Sequence, residues 1–144
     1  MVDTKTRHKC RVLLVDDHGP MREALCALLE SYEDVEVIAE ARDGEEAIIS
    51  VAACRPEIIL MDICMPRMNG IEATTIIKKS QKETAIIGLC MVHDTYAIEA
   101  FLKAGALAVV WKERLDELHF TIRRACAKRR HVPKVWNPAT TEPD

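Results

Sequence analysis

The sequence predicts a three-layer α/β sandwich, a doubly wound (βα)5 fold built on a parallel sheet. Apolar runs alternate with amphipathic stretches along most of the 144 residues. Two of these runs, Val12-Leu13-Leu14-Val15 and Ile58-Ile59-Leu60-Met61, carry no polar residue, as expected of parallel strands buried on both faces. Charged residues stand directly at run ends: Asp16-Asp17, Asp62, and Lys112 after Val109-Val110-Trp111. Strand ends are where ligands bind in such sheets.

Taken in order, strands are expected near residues 11–16, 35–40, 57–61, 84–90 and 107–111, and helices near 20–32, 44–54, 70–80, 95–104 and 115–130. The second strand alternates, with Val35, Val37 and Ala39 set against Glu36, Ile38 and Glu40, which suits a sheet edge. Pro20 fits the first turn of the first helix, whose apolar face collects Met21, Leu25, Leu28, Leu29 and Tyr32. Asp43 reads as the cap of the second helix, with Glu46 at the capping-box position and Ala47, Ile48, Val51 and Ala52 on the apolar side. Asn69-Gly70 opens the third helix, with Ile71, Thr74, Thr75 and Ile76 following; both residues tolerate a left-handed backbone. Right-handed crossovers make this a doubly wound sandwich, for which 2-1-3-4-5, the flavodoxin-like order, is expected, with its switch point between the first and third strands.

Residues 10–130 read as the folded domain, 1–9 as a disordered N-terminal extension, and 131–144 as a polar, proline-containing tail or truncated linker. With 49% apolar and 30% charged residues the chain has an ordinary globular composition. A net charge of −3 argues against a nucleic-acid surface over the body of the domain. The basic cluster Arg123-Arg124 and Lys128 to His131 reads as solvated charge favouring a helix C-terminus. No apolar run is long enough to span a membrane and no secretory signal is present, so a cytoplasmic protein is expected. The six cysteines (Cys10, Cys26, Cys54, Cys64, Cys90 and Cys126) include no pair at CxxC spacing. Spacing thus gives no support to a zinc or thioredoxin-like site, and they read as small apolar residues that stay reduced.

The strand ends carry the chemistry. Asp16, Asp17 and Asp62 would converge with Lys112 at one edge of the sheet. Carboxylates that close repel one another and call for a divalent cation and a neighbouring positive charge. That combination suits a phosphoryl group. Either acidic element alone is weak evidence, since acids commonly cap helices. The signal sharpens with Asp62-Ile63-Cys64-Met65-Pro66-Arg67-Met68-Asn69-Gly70: an acid at a strand tip, a Met-Pro turn, then Asn-Gly opening a helix.

With these residues the chain resembles the receiver domain of two-component response regulators, from about Cys10 to Lys128. Asp16-Asp17-His18, Ala104-Gly105-Ala106 and Lys112-Glu113 look most like receivers that precede a helix-turn-helix DNA-binding domain. The resemblance implies the 2-1-3-4-5 order as well. It makes Asp62 the phosphoryl acceptor, taking the group from the phosphohistidine of a sensor histidine kinase as an aspartyl phosphate. It implies Mg²⁺ held by Asp17, Asp62 and the backbone carbonyl of Cys64, with Asp16 acting through a water. Lys112 would pair with Asp62 and then with a phosphoryl oxygen. A homodimer is one association such a domain can make, and nucleic acid would be reached only through an output domain. The domain would be no enzyme beyond its own phosphotransfer and dephosphorylation.

Three positions depart from the family pattern. Cys90 stands where Ser or Thr usually contacts the phosphoryl group, and a thiol is a weaker donor. Met91 follows where a small residue is usual, and Val109 replaces the aromatic three residues before the lysine. These changes leave phosphorylation intact and bear on its coupling to an output, so a receiver-like interaction module that does not switch is the alternative reading. An aspartate-nucleophile hydrolase would need a second acid two residues after Asp62, where Cys64 stands. A flavin site is disfavoured by the short acidic loop Asp17-His18-Gly19-Pro20, because phosphate there needs backbone amides.

Overall fold

Each apolar run becomes a strand and each amphipathic stretch the helix that covers it. The computed structural model describes residues 8–63, 65, 68–91 and 95–131. In chain order these form β1 (Cys10–Val15), α1 (Gly19–Glu30), β2 (Val35–Ala41), α2 (Gly44–Cys54), β3 (Ile58–Asp62) and α3 (Gly70–Ser80). There follow β4 (Ala85–Cys90), α4 (Thr95–Ala104), β5 (Ala108–Trp111), a 3-10 segment (Lys112–Glu117) and α5 (Leu118–His131). The strands are parallel in the order β2-β1-β3-β4-β5, as expected.

Because side chains alternate across a strand, β1 and β3 feed two cores. Val12, Leu14, Ile58 and Leu60 pack with Leu25 and Leu29 of α1 and with Leu118 and Ile122 of α5. Leu13, Val15, Ile59 and Met61 pack on the opposite face with Ala47, Val51, Ala73, Ile77 and Phe101 of α2, α3 and α4. Fully burying one such aliphatic side chain stabilises by about 1.5–3 kcal/mol, so these two layers dominate the energetics. Gly88 of β4 is a packing requirement: a Cβ there would lie 2.2 Å from the ring of Phe101.

Several local expectations change. Val35, Val37 and Ala39 do not share a face. Register jumps from Val12↔Val37 to Leu13↔Ala39, leaving Ile38 as the extra residue of a bulge. Val35 and Val37 therefore join the α1/α5 core, while Ala39 and Ala41 join the other. Ala52 is exposed, so the apolar side of α2 is narrower than its periodicity implied. Asp43 caps α2 by accepting from the Glu46 amide at 2.9 Å, but Glu46 accepts from the amide of Arg42 at 2.9 Å, one residue before the cap. The last helix begins at Leu118 rather than near 115, because the chain leaves β5 through the 3-10 segment, with Arg114 non-helical at φ −124° and ψ 51°. His8 is hydrogen-bonded to Glu57. No helix among the described residues is long and apolar enough to cross a membrane.

Candidate functional site

Asp16 follows the last residue of β1 and Asp62 is the last residue of β3, adjacent strands paired through Val15↔Met61. Register alone thus brings their side chains to one point. Carboxylate oxygens of Asp16, Asp17 and Asp62 lie within 4.8 Å of one another. Asp16 and Asp62 are buried, whereas Asp17 faces solvent. Lys112, next after β5, reaches across: its Nζ donates to Asp16 Oδ2 at 3.0 Å and stands 3.4 Å from Asp62 Oδ2. The sequence paired Lys112 with Asp62; the ammonium in fact bridges both carboxylates and sits nearer Asp16.

Burial on its own pulls the Lys112 ammonium down, but its hydrogen bond to Asp16 and the charges of Asp62 and Asp16 outweigh this and hold it above 10.5. A raised lysine contributes stability that is full below the unfolded value and is lost only as pH rises through the folded one. Its positive charge is therefore fixed across the neutral range.

Two supporting groups were not anticipated. The His18 amide donates to Asp16 Oδ1 at 2.9 Å, while His18 Nδ1 caps α1 by accepting from the Met21 amide at 3.2 Å. Arg22 donates through Nη1 to the Asp16 carbonyl at 2.8 Å and through Nε to Glu40 at 3.2 Å, tying the acidic loop to β2. A signal existed for Arg22. A cation in the first turn of a helix works against the dipole, so it has another partner.

The turn after Asp62 is held by close backbone approach. The Ile63 amide donates to the Leu89 carbonyl at 3.1 Å and the Gly70 amide to the Ile63 carbonyl at 3.0 Å. Asn69 caps α3 by accepting from the Glu72 amide at 2.9 Å, with φ −75°. Neither Asn69 nor Gly70 takes the left-handed backbone their types allow; among the described residues only Arg55 and Gly105 have positive φ. Gly70 is required for space, since a Cβ would lie 2.3 Å from the Asp62 carbonyl oxygen.

Cys90 ends β4 one step beyond the Asp62↔Leu89 pair and opposite Trp111, so it stands at the same sheet edge. It is buried within the α2/α3/α4 core, whereas Met91 is 69% exposed. Val109 packs against the same core and pairs with Gly88. Cys64, the backbone ligand implied by the resemblance, lies outside the described residues, as do residues 92–94, 1–7 and 132–144.

The acidic cluster has the right scale for Mg²⁺. An octahedron with 2.0–2.1 Å bonds spaces its oxygens by roughly 3–4 Å, and carboxylates are the hard donors it takes. The group as a whole can neutralise and orient a transferring phosphoryl group.

Known proteins similar to this one point to the same family. The model of the response regulator receiver domain matches residues 12–123. The transcriptional regulatory protein LiaR of Bacillus subtilis is 40% identical over 116 residues, covering 80% of this chain and 55% of that protein. A protein-glutamate methylesterase/protein-glutamine glutaminase of Pyrococcus horikoshii is 48% identical over 130 residues, covering 81% of this chain and 35% of that protein. The chain thus spans about half or less of these relatives. A crystal structure of a LuxR-family two-component response regulator from Aurantimonas superposes with a TM-score of 0.80 at 33% identity, covering 84% of this chain and 87% of that one. Fold, sequence and the convergence of strand-end charges coincide: this chain belongs to the receiver domains of two-component response regulators.

Proposed function

We propose that this receiver accepts a phosphoryl group on Asp62 from the phosphohistidine of a sensor histidine kinase. The observation that carries the reading is the meeting of Asp16, Asp17 and Asp62 within 4.8 Å, with Lys112 bridging two of them. Asp62 supplies the attacking carboxylate oxygen. Lys112 orients it beforehand and transfers its contact to a phosphoryl oxygen as negative charge moves there. Asp17 and Asp62 would hold Mg²⁺ directly and Asp16 through a water, with the backbone carbonyl of Cys64 as the third ligand that the resemblance implies. The ion, when bound, neutralises charge building on the phosphoryl oxygens. Catalysis here is positioning and charge balance. Incubation with acetyl phosphate and Mg²⁺, read by intact mass, tests the reading by the gain of one phosphoryl group.

Mg²⁺ also gives a thermal test. A ligand present at ten times its dissociation constant and bound only to the folded state stabilises it by about 1.4 kcal/mol, a rise of several degrees in Tm. Asp17→Ala should lose this response. In EDTA the variant should melt slightly higher than the wild type, since an exposed charge beside two buried ones is removed. A wild-type melting curve indifferent to millimolar Mg²⁺ would count against the site.

Cys90 and Met91 set the switch rather than the transfer. Cys90 takes the place of the hydroxyl that contacts the phosphoryl group, and Cys90→Thr should strengthen that contact. A hydrogen bond to a charged acceptor is worth about 1.5–3 kcal/mol, enough to shift an inactive–active balance more than tenfold. Met91, 69% exposed beside it, is free to shield the aspartyl phosphate from water, and Met91→Ala should speed dephosphorylation. Hydrogen exchange in the segment after Cys90, with and without phosphorylation, measures the first effect. Equal changes in wild type and Cys90→Thr would show that the missing hydroxyl does not limit switching.

The output belongs to the same proposal. Likeness to LiaR supports transcription regulated through a C-terminal DNA-binding domain, in a cytoplasmic protein whose partners are the kinase and, on phosphorylation, a second copy in a homodimer. Light scattering of the labelled and unlabelled chain tests the dimer.

A further inference from the structure

The opposite edge of the sheet carries a second cluster of metal-binding side chains. Cys10 is the first residue of β1, Glu57 immediately precedes β3, and Cys126 lies in the second half of α5. Their sulfur and carboxylate atoms fall within 4.8 Å of one another, and all three residues are buried. A fourth donor stands next to Glu57: His8 Nε2 lies 2.9 and 2.8 Å from its two oxygens, outside the 4.8 Å spacing of the other three. A cavity of about 210 Å³, lined by His8, Cys10, Cys126 and Arg123 among others, opens beside them.

We infer that Cys10, Cys126, Glu57 and His8 form a tetrahedral site for Zn²⁺. Two thiolates select a borderline-soft ion over Mg²⁺ or Ca²⁺, and imidazole and carboxylate are the other donors zinc takes. With Zn–S bonds of about 2.3 Å, tetrahedral sulfurs stand about 3.8 Å apart, so Cys10, Cys126 and Glu57 close from 4.8 Å by small side-chain shifts, and His8 completes the set by turning from Glu57 toward the ion. The scaffold is rigid where it must be. Glu57 accepts from the Arg11 amide at 2.8 Å through Oε2, and its own amide and carbonyl bond to Arg11 and Ala85 at 2.9 and 3.0 Å. The Cys10 amide donates to the Asp34 carbonyl at 2.8 Å. His8 is the donor nearest solvent, its side chain 54% exposed, and the cavity is the way in. Binding releases the two thiol protons and any proton held between His8 and Glu57. Four protein donors leave no open position, so the ion pins α5 to β1 and to the start of β3. The six residues of β1 separate this site from the acidic cluster by roughly 20 Å, so each is read independently.

The test uses the full chain, kept reduced, with millimolar Mg²⁺ present to fill the acidic cluster and Co²⁺ as a spectroscopic stand-in. One equivalent should give d–d bands of tetrahedral intensity and a thiolate-to-cobalt charge-transfer band, both bleached by one equivalent of Zn²⁺. His8→Ala, at an exposed side chain that leaves the core intact, should weaken binding roughly tenfold or more. Cys126→Ser should lose about half the charge-transfer intensity. In the unaltered protein Zn²⁺ should slow alkylation of Cys10 and Cys126 while leaving the partly exposed Cys26 and Cys54 unchanged. An octahedral cobalt spectrum without charge transfer, or equal alkylation of Cys10 and Cys126 with and without Zn²⁺, overturns the inference.

Discussion

Asp62→Asn is expected to abolish phosphoryl labelling while leaving the fold intact. The amide matches the carboxylate in size but offers no anionic oxygen to attack phosphorus. Lys112 would keep its 3.0 Å bond to Asp16, so the buried ammonium is not left without an anion. Removing one of two buried carboxylates beside a single ammonium also lessens their repulsion, so stability should change little. The measurement is intact mass after incubation with acetyl phosphate and Mg²⁺. Wild type should gain one phosphoryl group and the variant none. Full labelling of the variant would sink the assignment of the acceptor.

Gly70→Ala should damage both fold and transfer. The new methyl would meet the Asp62 carbonyl oxygen at 2.3 Å, Met61 Cγ at 3.0 Å and Ile63 Cα at 3.1 Å. Two of these belong to backbone inside a buried strand end, which cannot swing aside as a side-chain tip can. Overpacking of this kind costs roughly 2–3 kcal/mol, a fall in Tm on the order of 10 °C for a domain of this size. The displaced peptide is that of Asp62 itself. Misplacing a reacting group by an ångström can cost about a hundredfold in rate, so labelling should slow to that extent even below the melting range. Gly19→Ala is the control, since nothing lies within 4 Å of its added Cβ. It should melt like wild type or slightly higher, as alanine favours a helix. Wild-type melting and labelling in Gly70→Ala would show that the turn yields and that the contact does not position the acceptor.

The acidic site was legible because it depends on strand ends. In a parallel sheet every strand delivers its last residue to one edge, so finding the apolar runs of β1, β3 and β5 also located Asp16, Asp17, Asp62 and Lys112. Details that depend on approach between elements were less legible. The alternation of β2 was read as one face, yet the bulge at Ile38 turns Ala39 to the other core. Gly70 was read as a conformational residue, whereas it is a residue without a side chain beside another chain segment's carbonyl. His18 and Arg22 support Asp16 through a backbone amide and to a backbone carbonyl, bonds that leave little trace in a pattern of residue types.

Hydrophobic periodicity and the chemistry of its interruptions determined, by themselves, the fold class and the carboxylates at the strand ends, while the strand order came with the family resemblance. Both are local properties repeated along the chain, and the rules of parallel sheets convert them into place. Only the tertiary structure decided that Lys112 bridges Asp16 and Asp62 and that Gly70 must be bare. It alone brought Cys10 to Cys126, two cysteines at opposite ends of the chain whose spacing fits no metal motif. The reason is physical. Spacing encodes donors carried on one turn or hairpin, whereas these donors are assembled by α5 closing over the starts of β1 and β3, a contact fixed by packing in three dimensions.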